Sequence, residues 1–369
     1  MKTVGILTMH KVSNFGSALQ AYATQKVIAS LGYDSELIDY IYPNEFQYSR
    51  GYSRPIKNLK SRISFWLGLH PRWKKMKAIK SFWPYLKVSK TYKSYEDIHK
   101  NPPIYDIYVT GSDQVWNSNF TKGDTTFFLD FAPKDAKRIS YASSFSNASL
   151  YTEFVDKIGP LLKAYKFISV REKKGAEIVD KLIGKNVPVT LDPTLLLDSA
   201  EWNRLADAKK DKYFEKKYIL LYVLAYALNP IPYIYDVAIK LHKQTGLEII
   251  ALGEVDEKYF GRIPIMKVWD ADPITYLHLI RNAAYVVTSS FHGVAFSVNY
   301  GKPLVAVIDK SKKDDRITTL LSRIGLEKCI YDINGPSDVK NVSYQVDLEQ
   351  DKLKELRQES LKYLKMSLM

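Results

Sequence analysis

The sequence has almost no cysteine and no long hydrophobic run. Of its 369 residues only Cys329 is a cysteine. Disulfide frameworks and thiolate-based zinc or iron–sulfur sites each need several cysteines, so both are excluded. No segment approaches the roughly 18–20 apolar residues that span a bilayer, and the short apolar start, 1–7, runs straight into polar residues, unlike a signal peptide. These absences predict a cytoplasmic protein whose fold depends on packing.

Acidic residues are missing from one long segment. Between Arg54 and Lys93 the sequence has twelve Lys or Arg residues and no Asp or Glu, against a formal net charge of +14 for the whole chain. The remainder is therefore close to neutral. Charge concentrated in one place indicates a local anionic partner or a solvated face, and it argues against a surface that wraps nucleic acid.

This basic segment (54–93) also has an apolar pattern. Trp73, Met76, Ile79 and Trp83 are spaced by three, three and four residues on a Lys-rich helix that Pro84 ends. Such a stripe usually packs against its own domain. The alternative is a peripheral contact with anionic lipid at the inner face of the membrane. Nucleic acid is the least favoured partner.

Several nucleotide and hydrolase motifs are absent, namely a Walker loop, Gly-x-Gly-x-x-Gly, His-Glu-x-x-His and Gly-x-Ser-x-Gly. What recurs is a short apolar strand followed by a helical stretch, which predicts an α/β fold with parallel sheets. The length suggests about two domains. The predicted strands are 3–8, 105–110, 167–170, 187–191, 219–224, 248–252, 285–288 and 304–308.

Glycines mark the ends of three predicted helices. The helices 17–31, 233–245 and 314–324 each stop before a Gly that suits a left-handed C-cap. Ser and Asn cluster near 145–151 ahead of another helix, which predicts a domain break. The predicted units are an N-terminal Rossmann-like domain at 1–148, a C-terminal one at 149–345 and a final helix at 346–369 that packs back across the domains.

Two polar clusters follow predicted strands of the first domain. Asn14 and Gly16 follow the first strand, and Gly16 permits close backbone approach. The stretch 111–117 follows another strand and offers groups suited to a hydroxyl-rich ring, since its indole can stack on a sugar face. Both clusters could equally be ordinary helix caps. The candidate residues in the second cluster are Ser112, Asp113, Trp116 and Asn117.

Arg171 ends a predicted strand just before a helix. Its guanidinium fork can bind phosphate or carboxylate, or it can pair with Glu172 or Glu177. Asp192, fixed by the proline that follows it, is either a functional carboxylate or part of a structural turn. The residues alone leave both choices open.

His292 gives the strongest single signal. A buried strand, 285–288, leads through Ser289 and Ser290 into His292 and Gly293, which open an apolar helix. An imidazole there can shuttle protons, and the amides of the helix start can hold an anion. Further along the chain, Lys312 and Arg316 are cations available to the same anion, although they could also form a solvated face.

Taken in order, these clusters resemble the polysaccharide pyruvyl transferase family. The resemblance covers about residues 1–325 and is carried by six short motifs that are weak singly. They are 13–22 (SNFGSALQAY), 111–117 (GSDQVWN), 141–145 (YASSF), 169–172 (SVRE), 192–194 (DPT), and 290–293 (SFHG) followed by 301–303 (GKP).

The resemblance implies two Rossmann-like domains in a GT-B-like arrangement with the site in the cleft. It implies transfer of pyruvyl from phosphoenolpyruvate to two hydroxyls of a sugar, in a surface glycan or its lipid-linked precursor, giving a cyclic ketal. Neither a metal nor a further cofactor is expected. The alternative is a GT-B glycosyltransferase that uses a nucleotide sugar.

The resemblance also assigns roles by position. His292 is the expected general acid and base, and Arg171 the donor anchor. The other expected donor contacts are Ser289, Ser290, Gly293, Arg316 and Lys312, and the expected acceptor contacts are Asn14, Gly16, Ser112, Asp113, Trp116 and Asn117. Some family members have an Arg where this chain has Ser290, so Arg316 or Lys312 would have to supply the missing anion contact.

Overall fold

A computed structural model describes residues 1–41, 59–68, 70–146, 150–210, 216–225, 228–339 and 346–369. In this part of the chain the strands form two six-stranded sheets whose neighbouring strands are all parallel. Helices pack against the sheets, as parallel sheets require. The predicted α/β fold of two Rossmann-like domains is confirmed.

The first sheet has the spatial order β3-β2-β1-β4-β5-β6. Its strands, in chain order, are β1 (Thr3–Leu7), β2 (Asp34–Tyr40), β3 (Val88–Tyr92), β4 (Ile107–Thr110), β5 (Lys137–Ser143) and β6 (Phe167–Val170). The chain builds outwards from β1 to β3, then returns to β4 on the other side of β1. The loops after β1 and β4 therefore diverge, which creates the crevice where open α/β sheets bind ligands.

The second sheet repeats this order as β12-β11-β10-β7-β8-β9. Its strands are β7 (Tyr218–Tyr222), β8 (Glu248–Leu252), β9 (Ile265–Val268), β10 (Tyr285–Thr288), β11 (Leu304–Ile308) and β12 (Ile330–Asp332). Here β7 and β10 are the pair between which the winding reverses. Each domain therefore has its own crevice at the carboxyl ends of two adjacent strands.

The helices alternate with the strands along the chain. They are α1 (Phe15–Ser30), α2 (Leu59–Trp66), α3 (Pro71–Lys80), α4 (Tyr95–Lys100), α5 (Ser118–Thr121), α6 (Thr152–Lys163), α7 (Lys173–Ile183), α8 (Ser199–Ala206), α9 (Tyr233–Thr245), α10 (Pro273–Asn282), α11 (Phe291–Asn299), α12 (Arg316–Ile324) and α13 (Val346–Leu368). The prediction that a glycine ends the helix is confirmed for α9 and α12, whose left-handed C-caps are Gly246 and Gly325.

The central strands are buried along their whole length. Every residue of β4, β7 and β11 is buried, because helices cover both faces of each sheet. This explains why the sequence shows continuous apolar runs there and no alternation. The edge strand β3 is mostly exposed, and the predicted strand list omits it along with β2, β5, β9 and β12.

The expected boundary at residue 148 is wrong. Helix α6 follows the Ser-rich and Asn-rich stretch, but β6 then returns to pair with β5 in the first sheet. The first sheet therefore continues to Val170. The strand expected at 187–191 is also wrong, since Val189 makes only an isolated bridge with Val170. That segment instead runs beside the first sheet before the chain enters the second domain.

Helix α1 lies between the two domains. Asn14 caps it by accepting hydrogen bonds from the amides of Gly16 (2.8 Å) and Ser17 (3.3 Å). The Phe15 ring then stacks on Tyr276 of α10 in the second domain, with ring centres 5.1 Å apart. Because one face of α1 meets the first sheet and the other meets the second domain, nearly all of its residues are buried.

Helix α13 contacts both domains. The Ser360 hydroxyl accepts a hydrogen bond from the Leu191 amide at 3.0 Å, and the Gln350 amide donates to the Val298 carbonyl at 2.7 Å. Tyr363 donates to the Ser140 carbonyl of β5 at 3.5 Å. Leu353, Leu364 and Leu368 are fully buried in the core cluster. The helix thus adds buried contacts on both sides of the interface.

The aromatic stripe of the basic segment faces its own domain. Ile79 is buried in the core cluster, and Trp73, Met76 and Trp83 are half-buried. The burial of Ile79 favours the packing interpretation. The expected helix end at Pro84 is wrong, because α3 ends at Lys80 and Trp83 lies in a separate 3-10 turn. Part of the segment, 54–58, lies outside the described residues. Among the helices that are described, none combines the length and the apolar composition that crossing a bilayer requires.

Candidate active site

The crevices of the two domains face each other and enclose a cavity of about 200 Å³. The loops after β1 and β4 form one wall, and the residues that follow β7 and β10 form the other. The lining residues are Met9, Val12, Ser13, Asn14, Ser17, Asp113, Gln114, Phe120, Leu224, Ser290, Phe291, His292 and Arg316. Two half-sites, one from each domain, therefore make one pocket.

The first-domain wall presents a carboxylate held by its neighbours. Asp113 follows β4 in the left-handed region, with φ of 70°, and one carboxylate oxygen accepts a hydrogen bond from the Ser17 hydroxyl at 2.6 Å. Its other oxygen accepts from the Gln114 amide at 2.9 Å. Asn14, which caps α1, lies in the same wall. Carboxylate and amide oxygens arranged this way suit contact with ligand hydroxyls.

The second-domain wall presents His292 at the start of α11. Ser290 caps this helix by accepting a hydrogen bond from the Gly293 amide at 3.2 Å, which places His292 in the first turn. The imidazole is 6% exposed. Its Nε2 makes no hydrogen bond with any described residue and lies 3.6 Å from the Asp192 carboxylate. A buried imidazole beside a carboxylate is an arrangement that can move a proton.

Asp192 is the buried carboxylate behind His292. One oxygen accepts from Arg171 Nη1 at 2.7 Å and from the Ser112 hydroxyl at 3.1 Å, and the other accepts from the Thr194 amide at 3.0 Å. Burial alone would raise the pKa of Asp192, but His292 and Arg171 lower it well below its usual range. Asp192 is therefore charged at neutral pH, which places a buried negative charge beside His292.

The structure places Arg171 behind the cavity wall. Arg171 is 3% exposed and is absent from the lining of the cavity. Its Nη1 bonds Asp192, its Nη2 lies 3.6 Å from Asp113, and its guanidinium lies 4.4 Å from the ring centre of Phe291, which does line the cavity. Arg171 therefore lies between the two carboxylates of the site. Its Nε and Nη2 make no hydrogen bond with any described residue, and its contact with the donor stays a prediction.

Arg316 is the guanidinium that lines the cavity. It begins α12 and pairs with Asp314, donating from Nε to a carboxylate oxygen at 2.8 Å. Burial raises the pKa of Asp314, but Arg316 outweighs this and brings it to about 2. Lys312 and Ser289 line an adjoining small cavity of about 30 Å³ that Arg316 shares. Asp309 and Asp314 line this small cavity as well, so carboxylates accompany the two cations on this side of the site.

A buried acid lies at the domain seam near Arg316. One oxygen of Glu172 accepts hydrogen bonds from the Ser144 hydroxyl (3.0 Å) and from the amides of Phe145 (2.9 Å) and Ser146 (3.1 Å). The Ser146 hydroxyl in turn donates to Asp314 of the second domain at 3.2 Å. Burial raises the pKa of Glu172 to about 7, although the nearby Arg171 acts to lower it.

Four residues that were expected to contact a substrate do not line the cavity. Trp116 is fully buried, stacked on Phe128 at 5.3 Å between ring centres, so its indole belongs to the core and has no face for a sugar. Asn117 is fully buried, and its side chain caps α5. Ser112 is fully buried against Asp192. The Gly293 amide is occupied by the Ser290 hydroxyl and is not free for an anion.

Gly16 contacts the other domain directly. A Cβ atom built on Gly16 would lie 2.5 Å from the Cβ of His292 and closer still to the imidazole Cγ and Nδ1. Only a glycine therefore allows the first turn of α1 to approach His292 this closely. Of the remaining expected residues, Asn14, Asp113, Ser290, His292 and Arg316 line the cavity, and Ser289 and Lys312 line the adjoining one.

We expect Gly16→Ala to lower the free energy of unfolding by about 1–3 kcal/mol, the usual cost of overpacking. The added methyl group must displace the His292 side chain or separate the two domains. The measurement is denaturant unfolding of the full chain. Gly159→Ala on α6 is the control, because a Cβ there meets no atom within 4 Å. Alanine favours the helix over glycine, but the Pro160 ring that follows opposes a Cβ at this position, so the stability of this control should stay within about 1 kcal/mol of wild type. Equal stability of Gly16→Ala and wild type would contradict the close approach.

Sequence reasoning missed part of the cavity lining. Ser17 and Gln114 lie inside the recognised motifs, and the sequence offers Ser17 with Asn14 as donors at the helix start, but neither Ser17 nor Gln114 was among the expected contacts. Phe120 and Leu224 follow the motif of β4 and the strand β7, and neither lies in a distinctive pattern. Asp192 was left undecided between a functional carboxylate and a turn, and its contact with His292 settles that it belongs to the site.

Comparison with known families identifies the chain. The family model described as polysaccharide pyruvyl transferase matches residues 14–311. This range includes the cavity-lining residues from Asn14 to His292 but not Met9, Val12, Ser13 or Arg316. No curated protein sequence matches the chain.

Solved structures share the fold at low identity. A putative UDP-N-acetylglucosamine 2-epimerase from Listeria monocytogenes is 12% identical, with a TM-score of 0.50 over 99% of this chain and 90% of that chain. A UDP-GlcNAc 2-epimerase from Neisseria meningitidis is 10% identical, with a TM-score of 0.45 over 100% and 94%. An α-glucosyltransferase in complex with UDP and a 13-mer DNA is 11% identical, with a TM-score of 0.47 over 99% and 95%. The similarity to the Listeria monocytogenes structure, at a TM-score of 0.50, shows a GT-B-like fold.

Proposed function

The chain belongs to the polysaccharide pyruvyl transferase family, and on that premise we propose that it transfers the pyruvyl group of phosphoenolpyruvate to two hydroxyls of one sugar. The product is a cyclic ketal, and phosphate is released. The acceptor is a sugar of a surface glycan or of its lipid-linked precursor. The observation that carries the proposal is His292, which faces a cavity between the domains with Asp192 at 3.6 Å and the Arg316 cation in the same lining.

The size of the cavity supports a small donor. Pockets that enclose drug-sized ligands usually measure about 300–1,000 Å³. The cavity here measures about 200 Å³. A three-carbon enol phosphate suits this space better than a nucleotide sugar does.

The chemistry needs a proton at C3 of phosphoenolpyruvate. Protonation of C3 converts the methylene to a methyl group and makes C2 an oxocarbenium-like electrophile. We assign the proton to His292, because its imidazole faces the cavity and its Nε2 lies 3.6 Å from the Asp192 carboxylate. A sugar hydroxyl then adds to C2, and the bond from C2 to the phosphate oxygen breaks. A second hydroxyl adds to the same carbon and closes the ketal.

The protons balance across these steps. The two hydroxyls release two protons, of which one replaces the proton delivered to C3 and the other leaves on the phosphate. His292 is returned to its protonated form by the proton of an attacking hydroxyl. A single imidazole can therefore act as acid and then as base.

The two walls have different roles in the proposal. The second-domain wall holds the donor, with Arg316 and Ser290 at its anionic groups and Lys312 beside them, since guanidinium and ammonium groups stabilise phosphate and carboxylate charge. The first-domain wall holds the acceptor through Asp113 and Asn14. Arg171 acts behind Phe291 as a positioning residue for Asp192 and Asp113.

Calorimetric titration of phosphoenolpyruvate tests the donor without knowledge of the acceptor. We expect Arg316→Gln to weaken binding at least tenfold, about 1.4 kcal/mol, because it removes the charged contact from the cavity. The control is Arg204→Gln on the exposed surface of α8, which should bind like wild type.

A parallel titration uses UDP-N-acetylglucosamine. Binding of this nucleotide sugar without any binding of phosphoenolpyruvate, in the presence or absence of a lipid-linked glycan extract, would contradict the proposal. That result would favour a glycosyltransferase.

A further inference from the structure

Helix α2 presents an apolar face to solvent. Leu59, Ile63, Trp66 and Leu67 are spaced by four, three and one residues, so they share one side of the helix. Trp66 is 91% exposed, and Leu59 and Leu67 are 70% and 66% exposed. Scattered exposed apolar residues are common, but four on one helical face mark an interaction surface. We call this set the α2 face.

The opposite side of α2 is attached to the protein. Phe65 is half-buried, with its ring centre 6.0 Å from that of His70, and the His70 amide donates to the Ser64 carbonyl at 3.1 Å. Trp73 packs beside Gly68 at the turn between α2 and α3. The outward direction of the α2 face is therefore fixed by contacts on its inward side.

Cations lie on both sides of the α2 face. At about 100° per residue, Lys60 and Arg62 project to opposite flanks of the apolar arc, and both are exposed. Exposed Lys74 and Lys77 follow on α3. The basic segment that contains these helices has no Asp or Glu. An apolar arc with cations on both flanks is the pattern of a helix that lies in a membrane interface.

We propose that the α2 face docks the protein on an anionic lipid surface. Acyl chains accept the four apolar side chains, and the headgroup charge pairs with Lys60 and Arg62. A second copy of the chain fits less well, because two segments with only positive charge would repel each other. Nucleic acid would meet the cations but would leave the apolar arc without a partner.

Helix α3 connects α2 with one wall of the cavity. Helix α3, which follows α2, places Lys75 Nζ 5.6 Å from the ring centre of Phe15, the residue after Asn14 of the cavity wall. Lys11 Nζ lies 5.0 Å from the ring centre of Trp83. A lipid-carried sugar would then reach the acceptor wall from the same bilayer. This last step rests on the proposed function, whereas the docking does not.

Vesicle co-sedimentation of the full chain tests the docking. The probes are vesicles of phosphatidylglycerol with phosphatidylcholine, and of phosphatidylcholine alone. We expect binding to the anionic vesicles only, and a loss of about tenfold or more in the double variant Trp66→Ser and Leu67→Ser. Ile104→Ser is the control, because Ile104 is 85% exposed and lies outside the basic segment. Circular dichroism checks that the variants fold.

A second pair of variants distinguishes docking through α2 from a general effect of the net charge of the protein. Lys60→Glu with Arg62→Glu should lose binding, whereas Lys185→Glu with Lys243→Glu makes the same change in net charge at exposed sites and should retain it.

Three outcomes with vesicles or in light scattering would overturn the proposal. They are equal sedimentation with both vesicle types, unchanged binding by the Trp66 and Leu67 variant, and a dimer in light scattering that this variant abolishes. DNA binding that both charge variants weaken equally, without vesicle binding, would also overturn it. Loss of phosphoenolpyruvate binding has no bearing on this test, so failure of the proposed function is distinguishable.

Discussion

His292→Ala should lower the turnover of phosphoenolpyruvate by about 10²–10⁴-fold, the range that a positioned general acid contributes. His292 faces the cavity, and its Nε2 is buried without a hydrogen bond to any described residue. The Asp192 carboxylate lies 3.6 Å from this nitrogen. Removal of the imidazole leaves the anion contacts of Arg316 in place, so the loss should fall on the chemical step.

The assay is phosphate release from phosphoenolpyruvate with an extract of lipid-linked glycans as acceptor. In deuterium oxide, the methyl group of the wild-type product should carry one deuterium from solvent. His242→Ala is the matched control, since this half-buried histidine lies near the end of α9 and bonds the Leu247 carbonyl. If His292→Ala retained turnover within about tenfold of wild type, another residue would have to supply the proton.

Arg171→Met is expected to lower the free energy of unfolding by about 3–5 kcal/mol, the cost of breaking a buried ion pair by removing one partner. Arg171 bonds Asp192 at 2.7 Å and lies 3.6 Å from Asp113. Methionine has a similar length, so it fills the space over Phe291 while it leaves both carboxylates without their guanidinium. The measurement is urea unfolding at neutral pH.

A double-mutant cycle provides the control for Arg171. Asp192→Asn removes the charge that Arg171 compensates, so the double variant should be less destabilised than the sum of the two single variants. Additive losses would show that Arg171 and Asp192 do not interact through their charges. Binding of phosphoenolpyruvate to folded Arg171→Met then tests whether Arg171 contacts the donor or acts through the carboxylates.

Local sequence signals predicted the fold well where one residue decides the geometry. Gly246 and Gly325 end helices because a left-handed cap favours glycine. His292 could be placed because parallel strands bring their carboxyl ends to one edge of the sheet. The Ser-rich and Asn-rich stretch gave the wrong domain boundary, because β6 pairs with β5 of the first sheet. Strand pairing of this kind is not visible in local composition.

The side-chain roles were harder to predict because neighbouring residues of one loop point in different directions. Asp113 faces the cavity, whereas Trp116, three residues later, is enclosed by Phe128 and Phe145. Arg171 has the chemistry of an anion contact, but two carboxylates from distant parts of the chain occupy it. In the basic segment the exposed apolar face lies on α2, because the apolar stripe of α3 packs against the rest of the protein.

The buried Glu172 makes proton uptake part of folding. Its pKa is about 7 in the folded chain, against an ordinary value of 4.5. Between these pH values the folded carboxyl keeps a proton that the unfolded chain has released, so a rise in pH through this window costs stability. Asp192 has the opposite linkage, since its lowered pKa gives stability that is lost in acid. The two carboxyl groups together favour the folded chain most in mildly acidic solution, where Glu172 is protonated and Asp192 is charged.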